Sequence, residues 1–146
     1  MSTKMILVKT ITEDFSLQSK DFSEAEDIHF DFTELKKINS IGIKNFINFL
    51  KDLSPTNRIY YHHCPPRFIQ LLNIVNGLFP PQVETKSLFV AYFCPHCQND
   101  YSFEVFAPFQ KEMLHVIREC PEDATPLELF NRESIIFNFL KSKSVA

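Results

Sequence analysis

The chain has no tryptophan and only two glycines among its 146 residues. Gly42 and Gly77 stand far apart, so the chain has no glycine-rich loop that could cradle a nucleotide phosphate. It also has no nucleophile elbow and no His-Glu-x-x-His helix, which removes the usual sequence support for a hydrolase or a metalloprotease. We expect the 16 phenylalanines to fill the core rather than to form an aromatic binding stack.

An excess of positive charge and a long apolar run are also missing. The net charge is -3 and the lysines are scattered, which argues against nucleic-acid binding because phosphate contacts require a basic surface. No run approaches the roughly 18 apolar residues that a membrane-spanning helix requires. The apolar run at residues 5–8 is too short for a signal peptide. We therefore expect a cytoplasmic protein with neither a membrane nor a nucleic acid as its partner.

The remaining composition, 45% hydrophobic and 23% charged, is typical of a globular protein of one domain. Strand and helix patterns alternate along the chain and predict an α/β fold with a partly parallel sheet. Residues 5–11 and 15–17 are predicted as the first strands. Residues 27–32, 58–63 and 87–93 are predicted as later strands, the last of them central in its sheet.

Two helices are predicted between these later strands. The second begins at Pro66, and Gly77 follows its end. A third helix, capped by Asn131, is predicted at the C-terminus with Ile135, Ile136, Phe139 and Leu140 on its apolar face. The predicted buried stripes are Ile43, Phe46, Ile47, Leu50 and Leu53 in the first helix, and Phe68, Leu71, Leu72 and Val75 in the second.

The junction between the strand at 27–32 and the first helix has the features of a binding corner. Ser40 stands where an N-cap is expected, and its hydroxyl can accept a hydrogen bond from a backbone N–H of the first turn. The remaining free N–H groups and the helix dipole make this end partly positive. An anion or a carboxylate of a partner could bind there.

This junction resembles the STAS domain of bacterial anti-sigma factor antagonists. A second, weaker match is Asn76-Gly77-Leu78 with the strand that follows, so the resemblance covers roughly residues 27–92. Phosphorylated members carry a hydroxyl immediately before the glycine, where this chain has Ile41; Ser40, one position earlier, is the candidate phosphoacceptor. The matching residues of the junction are Asp31, Phe32, Thr33, Leu35, Ile38, Asn39, Ser40 and Gly42.

The resemblance implies a non-enzymatic protein-binding module in signalling, with a STAS-like mixed sheet. Its partner would be a regulatory protein such as an anti-sigma factor or a kinase. Ile41 would make apolar contact, Lys44 would supply charge complementarity, and Phe49 would anchor the rim. The implied partner-binding residues are Asn39, Ser40, Ile41, Lys44 and Phe49.

Cysteine spacing predicts a metal site near the C-terminus. Cys94-Pro-His-Cys97 has the spacing of a zinc knuckle, and Cys120-Pro-Glu-Asp123 repeats it with a carboxylate in the last place. Together they would form a Cys₃Asp zinc site on a zinc-ribbon-like hairpin, with His115 as the rival fourth ligand. Alternatively, the hairpin holds no metal and is stabilised by packing of its aromatic residues.

An enzymatic alternative uses the same motif, because Cys-Pro-His-Cys resembles the active site of DsbA-type thiol-disulfide oxidoreductases. In those enzymes the first cysteine begins a helix, whereas here Tyr101, Phe103 and Val105 alternate as in a strand. A zinc ribbon that binds nucleic acid is a third interpretation, which would require salt-sensitive binding.

We predict structural rather than functional roles for the remaining cysteine and its two histidine neighbours. Cys64 is expected to be a small buried hydrophobe, and His62 and His63 to fill surface and core positions. The predicted organisation is a STAS-like core at 1–92, a hairpin insertion at 93–125, and a C-terminal helix at 126–146 that packs on the core.

Overall fold

The computed structural model describes residues 2–24, 26–131 and 136–142. These residues form a mixed α/β structure with a parallel sheet and two α-helices, which confirms the predicted α/β class. Short 3₁₀ segments lie at Ser19–Asp21, Lys111–His115 and Asn138–Ser142. In chain order the elements are β1 (Thr3–Leu7), β2 (Thr10–Ile11), β3 (Asp27–Asp31), β4 (Lys37–Ile38), α1 (Ser40–Asp52), β5 (Arg58–His62), α2 (Pro66–Ile74), β6 (Val83–Thr85), β7 (Ser87–Phe93), β8 (Asp100–Phe106) and β9 (Glu128–Leu129).

The main sheet has the strand order β1-β3-β5-β6, and every pair in it is parallel. In β3 and β5 the side chains alternate between buried and partly exposed, as the period of a half-buried strand requires. Phe30 and Tyr61 lie on the buried face and are fully enclosed. His29, Tyr60 and His62 lie on the opposite face, which we call the open face.

Both helices cover the same face of the main sheet. Phe46 of α1 packs against Phe30 and Tyr61, with ring centroids 5.4 and 6.3 Å apart. Phe68 of α2 stacks on Phe32 with centroids 4.3 Å apart. The expectation that phenylalanines fill the core is therefore confirmed for these residues.

The second sheet is antiparallel, with β7 between β8 and β9, and we call it the C-terminal sheet. The central strand, β7, is linked to the main sheet in two ways. It follows β6 after one residue, and its first residues form backbone hydrogen bonds with Cys64, just beyond the end of β5. The N–H of Cys64 donates to Ser87 O at 3.2 Å, and the N–H of Phe89 donates to Cys64 O at 2.8 Å. His63, with φ 56°, lies between the end of β5 and Cys64.

Several sequence predictions are confirmed by this arrangement, and others are wrong. The strand at 87–93 has the predicted bounds and is central, and Pro66 begins α2. The opening strand is interrupted at residues 8–9, because β1 pairs with β3 whereas β2 pairs with β4. Residues 15–17 form no strand. The predicted cap of the C-terminal helix, Asn131, is described, but residues 132–135 beyond it lie outside the described residues.

The helix stripes also differ in detail from the prediction. In α1, Phe49 is buried, while Ile43 and Ile47 are only partly buried. In α2, Ile69 is buried, whereas Leu71 and Val75 pack at the margin of the core. Burial in each helix depends on which side chains point at the sheet, and the helical period alone resolves this only to within one neighbouring position. Among the described residues, no helix is both long enough and apolar enough to cross a membrane.

Gly42 is required where α1 begins, because the helix there touches the backbone of β2. A Cβ atom on Gly42 would lie 1.9 Å from the carbonyl oxygen of Ile11. We predict that Gly42→Ala lowers the free energy of unfolding by about 1–3 kcal/mol, since overpacking outweighs the gain of about 1 kcal/mol in helix propensity. Urea unfolding measures this, with the exposed Ser40→Ala as the control; equal stability of the two variants would contradict the close approach.

Candidate metal centre and helix corner

Two turns of the same backbone geometry carry the cysteine motifs, and we call them the first and second knuckle. The first knuckle, residues 94–99, begins immediately after β7. The N–H of Gln98 donates to Cys94 O at 2.8 Å, and the N–H of Cys94 donates to Asn99 O at 3.0 Å. Gln98 has φ 62°, in the left-handed region, which turns the chain back toward β8.

The second knuckle, residues 120–125, repeats this pattern position by position. The N–H of Ala124 donates to Cys120 O at 2.8 Å, and the N–H of Cys120 donates to Thr125 O at 2.8 Å. Ala124 has φ 60° and corresponds to Gln98. The predicted repeat of Cys-Pro-x-Cys as Cys-Pro-x-Asp is therefore a repeat of backbone structure as well as of sequence.

The two knuckles face each other, and their four predicted ligands converge. One ligand atom from each of Cys94, Cys97, Cys120 and Asp123 lies within 4.8 Å of all the others, close enough to hold a metal ion. The Sγ atoms of Cys97 and Cys120 are 3.6 Å apart, and Cys94 Sγ is 3.7 Å from Asp123 Oδ1. Tetrahedral zinc with bonds of about 2.3 Å to sulfur separates two sulfurs by about 3.8 Å. The four groups thus have nearly the spacing that one tetrahedral ion requires.

Hydrogen bonds favour the charged forms of two of the four ligands, Cys94 and Asp123. Burial raises the pKa of Cys94, but the hydrogen bond from the N–H of Cys97, at 3.4 Å, helps to bring the net pKa below its ordinary value. Hydrogen bonds from Thr125, followed by that from His96, hold the pKa of Asp123 far below its usual range. A carboxylate and a stabilised thiolate are the forms in which these groups bind a metal.

Two further side chains belong to this site that the sequence interpretation did not identify. His96 Nδ1 lies 2.7 Å from Asp123 Oδ2, and the hydroxyl of Tyr101 lies 3.4 Å from Cys120 Sγ. Such outer contacts orient metal ligands. The sequence shows that His96 lies inside a knuckle and that Tyr101 lies near the start of β8. It does not show their partners, which are 19 or more positions away along the chain. His115, the rival ligand, is not in the group of converging residues.

The remaining cysteine and the predicted hairpin strand agree with expectation. Cys64 is fully buried, as predicted, and burial raises the pKa of its thiol. Residues Asp100–Phe106 form β8, so a strand and not a helix follows the first knuckle. All four cysteines are free thiols.

The helix corner, residues 39–44, exposes Ser40, Ile41 and Lys44, and it is capped differently from the prediction. Asn39, not Ser40, is the N-cap: its side-chain oxygen accepts from the N–H of Gly42 at 2.8 Å. Its amide nitrogen also donates to Glu13 at 2.6 Å, and this bond lowers the pKa of Glu13. Ser40 is the first residue of α1 and its side chain points to solvent, because the preceding asparagine already occupies the capping position.

The other predicted corner residues divide into exposed and buried. Ile41 is 56% exposed, and Lys44 is also exposed on the next turn. Phe49 is only 4% exposed and packs against Phe15 and Phe22, with ring centroids 5.9 and 5.6 Å away. Phe49 is thus part of the core, and the prediction that it anchors the rim of a surface contact is wrong.

Comparison of the chain with protein-family models, with curated protein sequences and with solved structures finds no match.

The capping assignment can be tested by a pair of alanine substitutions at adjacent positions. We predict that Asn39→Ala lowers the free energy of unfolding by about 1 kcal/mol, because Asn39 satisfies a first-turn N–H, while Ser40→Ala leaves it nearly unchanged. Urea unfolding of both variants measures the difference. A larger loss for Ser40→Ala would return the capping role to the serine.

Proposed function

We propose that this protein is a non-enzymatic, STAS-like module that binds a regulatory protein in signalling, and that a structural zinc ion stabilises its C-terminal sheet. The observation that carries the zinc proposal is the pair of knuckles with matching hydrogen bonds and converging ligands. The corner at residues 39–44 is the proposed docking surface.

The ligand set favours zinc and a structural role. Thiolates select zinc over magnesium or calcium, and carboxylate oxygen also binds zinc. Four protein ligands complete a tetrahedral site and leave no position for substrate, which is typical of structural sites rather than catalytic ones. Cys94 is fully buried and Cys120 nearly so, which further limits access to the ion.

The same geometry weighs against the oxidoreductase alternative. A reactive first cysteine of that class begins a helix, whose N-terminus stabilises the thiolate. Here Cys94 begins a turn that leads into β8. The Sγ of Cys97 also lies 3.6 Å from that of Cys120 on the other knuckle, so it contacts a third thiol outside its own motif.

Exposure and charge at the helix corner support the docking proposal. Ile41 offers an apolar side chain at a position where a helix normally places a polar one, and Lys44 adds a positive charge one turn later. The first-turn N–H groups of α1 add a partial positive charge at the same end. This combination suits a partner with an apolar pocket rimmed by carboxylates. Phosphorylation of Ser40, which is solvent-exposed, would change that charge balance.

Zinc content tests the metal proposal directly. We predict about one equivalent of zinc in protein purified without added metal, as four-ligand structural sites bind it tightly, and a loss of most of it in Cys97→Ser. The control is Cys64→Ala, which removes a cysteine outside the site. Elemental analysis measures both; a wild-type content below about a tenth of an equivalent would reject a zinc site of this kind.

The fourth ligand can be tested by changing the carboxylate alone. We predict that Asp123→Asn binds zinc at least about tenfold more weakly in competition with a chelator, whereas Asp123→Cys binds at least as tightly as the wild type because Cys₄ is a common structural set. If Asp123→Asn competes as well as the wild type does, the carboxylate is not a ligand.

A matched pair of charge insertions tests the docking surface. We predict that Ile41→Asp weakens binding of the regulatory partner by at least about tenfold, since burying an isoleucine contributes about 1.5–3 kcal/mol. Ile74→Asp is the control, because Ile74 at the end of α2 is 76% exposed and lies outside the corner. Proteins captured from the native host by the wild type and each variant provide the measurement. Equal losses with both variants would contradict the corner as the contact.

A further inference from the structure

Two histidines and a carboxylate gather on the open face of the main sheet, beside a third histidine, and none of them belongs to the cysteine centre. His29 and His62 come from neighbouring strands, β3 and β5, and both side chains point away from the helices. Asp31 pairs in register with His62, and His63 follows it in the chain. This is the carboxyl end of parallel strands, where α/β proteins commonly bind ligands.

The two histidine rings are held with their nitrogens facing each other. His29 Nδ1 lies 2.7 Å from His62 Nε2. The His29 ring is nearly parallel to the ring of Tyr60, at a centroid distance of 4.5 Å, and to the ring of His62, at 5.0 Å. Both histidines are half-buried, so packing limits the rotation of each ring.

The charge state of the cluster suits a cation. Burial lowers the pKa of His62, and the neighbouring His29 and His63 lower it further, so its ring is neutral at neutral pH. Burial raises the pKa of Asp31, but the bonds from the hydroxyl and the N–H of Thr33, at 2.6 and 2.9 Å, bring it below its usual value. Asp31 is therefore an anion in register with the neutral ring of His62.

Two ionisable side chains near the pair have partners of their own. His63 Nδ1 bonds to a carboxylate oxygen of Glu104 from β8. Lys86 lies over the Tyr60 ring at 5.1 Å and bonds to Glu84 at 3.1 Å. The repulsion that Lys86 exerts on a bound cation is thus partly offset by Glu84.

We propose that His29 Nδ1 and His62 Nε2 form a second metal site, which binds a divalent transition-metal ion such as Ni²⁺ or Cu²⁺. Two metal–nitrogen bonds of about 2.05 Å separate the nitrogens by about 2.9 Å at a right angle and by about 3.3 Å at the tetrahedral angle. The observed 2.7 Å is the length of the hydrogen bond that the two rings share, so an ion that replaces the shared hydrogen requires the nitrogens to move apart by only a few tenths of an ångström. Imidazole nitrogen is a preferred ligand of both ions. On binding, the hydrogen shared by the two nitrogens moves to the other nitrogen of its own ring.

This site differs from the cysteine centre in being open. Among the described residues, the only group of three or more ligands that converges within 4.8 Å is the cysteine set, so the histidine pair supplies two ligands and water completes the sphere. Two imidazoles hold an ion less tightly than three thiolates and a carboxylate. We therefore expect the ion to exchange readily with solvent.

Ni²⁺ titrated into the full-length protein and followed by amide NMR locates the site. Paramagnetic Ni²⁺ should broaden the signals of residues 27–31 and 58–62 first. Any binding at the cysteines would broaden residues 94–97 and 120–123, so the two sites are read separately. His29→Gln and His62→Gln should each raise the Ni²⁺ concentration needed for half-maximal broadening by at least about tenfold, because each removes a ligand.

The controls separate this site from other binding. His115→Gln removes an exposed histidine outside the open face and should leave the titration unchanged. Mg²⁺, which prefers oxygen ligands, should produce no shift at these residues. Broadening centred elsewhere, or an unchanged midpoint in either folded variant, would overturn the proposal. If a variant does not fold, the position of the broadening in the wild type decides alone.

Discussion

The burial of only one face of the parallel sheet is the constraint on which the rest of the structure depends. Both helices pack on that face, so alternation along β3 and β5 sends Phe30 and Tyr61 into the core and leaves His29 and His62 on the other side. The aromatic layer between sheet and helices is built from phenylalanine and contains no tryptophan. The same alternation that builds the core therefore also assembles the polar cluster on the open face.

The C-terminal sheet depends on a different kind of stabilisation. It has three strands, one of them only two residues long. Its central strand packs Leu88, Val90 and Tyr92 into the same core as the main sheet, whereas the knuckle cysteines are not part of that core. Its link to the main sheet is the run of backbone bonds around Cys64 and Ser87. A metal ion that joins the two knuckles would close the long segment between Cys97 and Cys120, and so reduce the conformational freedom of the unfolded chain.

The two proposed metal sites differ in their ligands and therefore in their expected roles. The knuckles offer sulfur ligands in a closed, four-group arrangement, which suits a permanently held ion that stabilises the fold. The histidine pair offers two nitrogens on a face open to solvent, which suits an ion that exchanges. The helix corner contains no residue of either site. There Asn39 donates a hydrogen bond to Glu13, and the side chain of Ile41 is exposed to solvent.

Sequence alone determined what depends on local spacing: the period of β3, β5 and β7, the proline that begins α2, and the two cysteine motifs with Asp123 in the fourth position. Tertiary structure decided what depends on which segments meet. It buried Phe49, made Asn39 the cap, and brought His29 to His62. The physical reason is that periodicity and turn chemistry act over a few residues, whereas strand order and register set the contacts between residues 29 and 62, or 96 and 123.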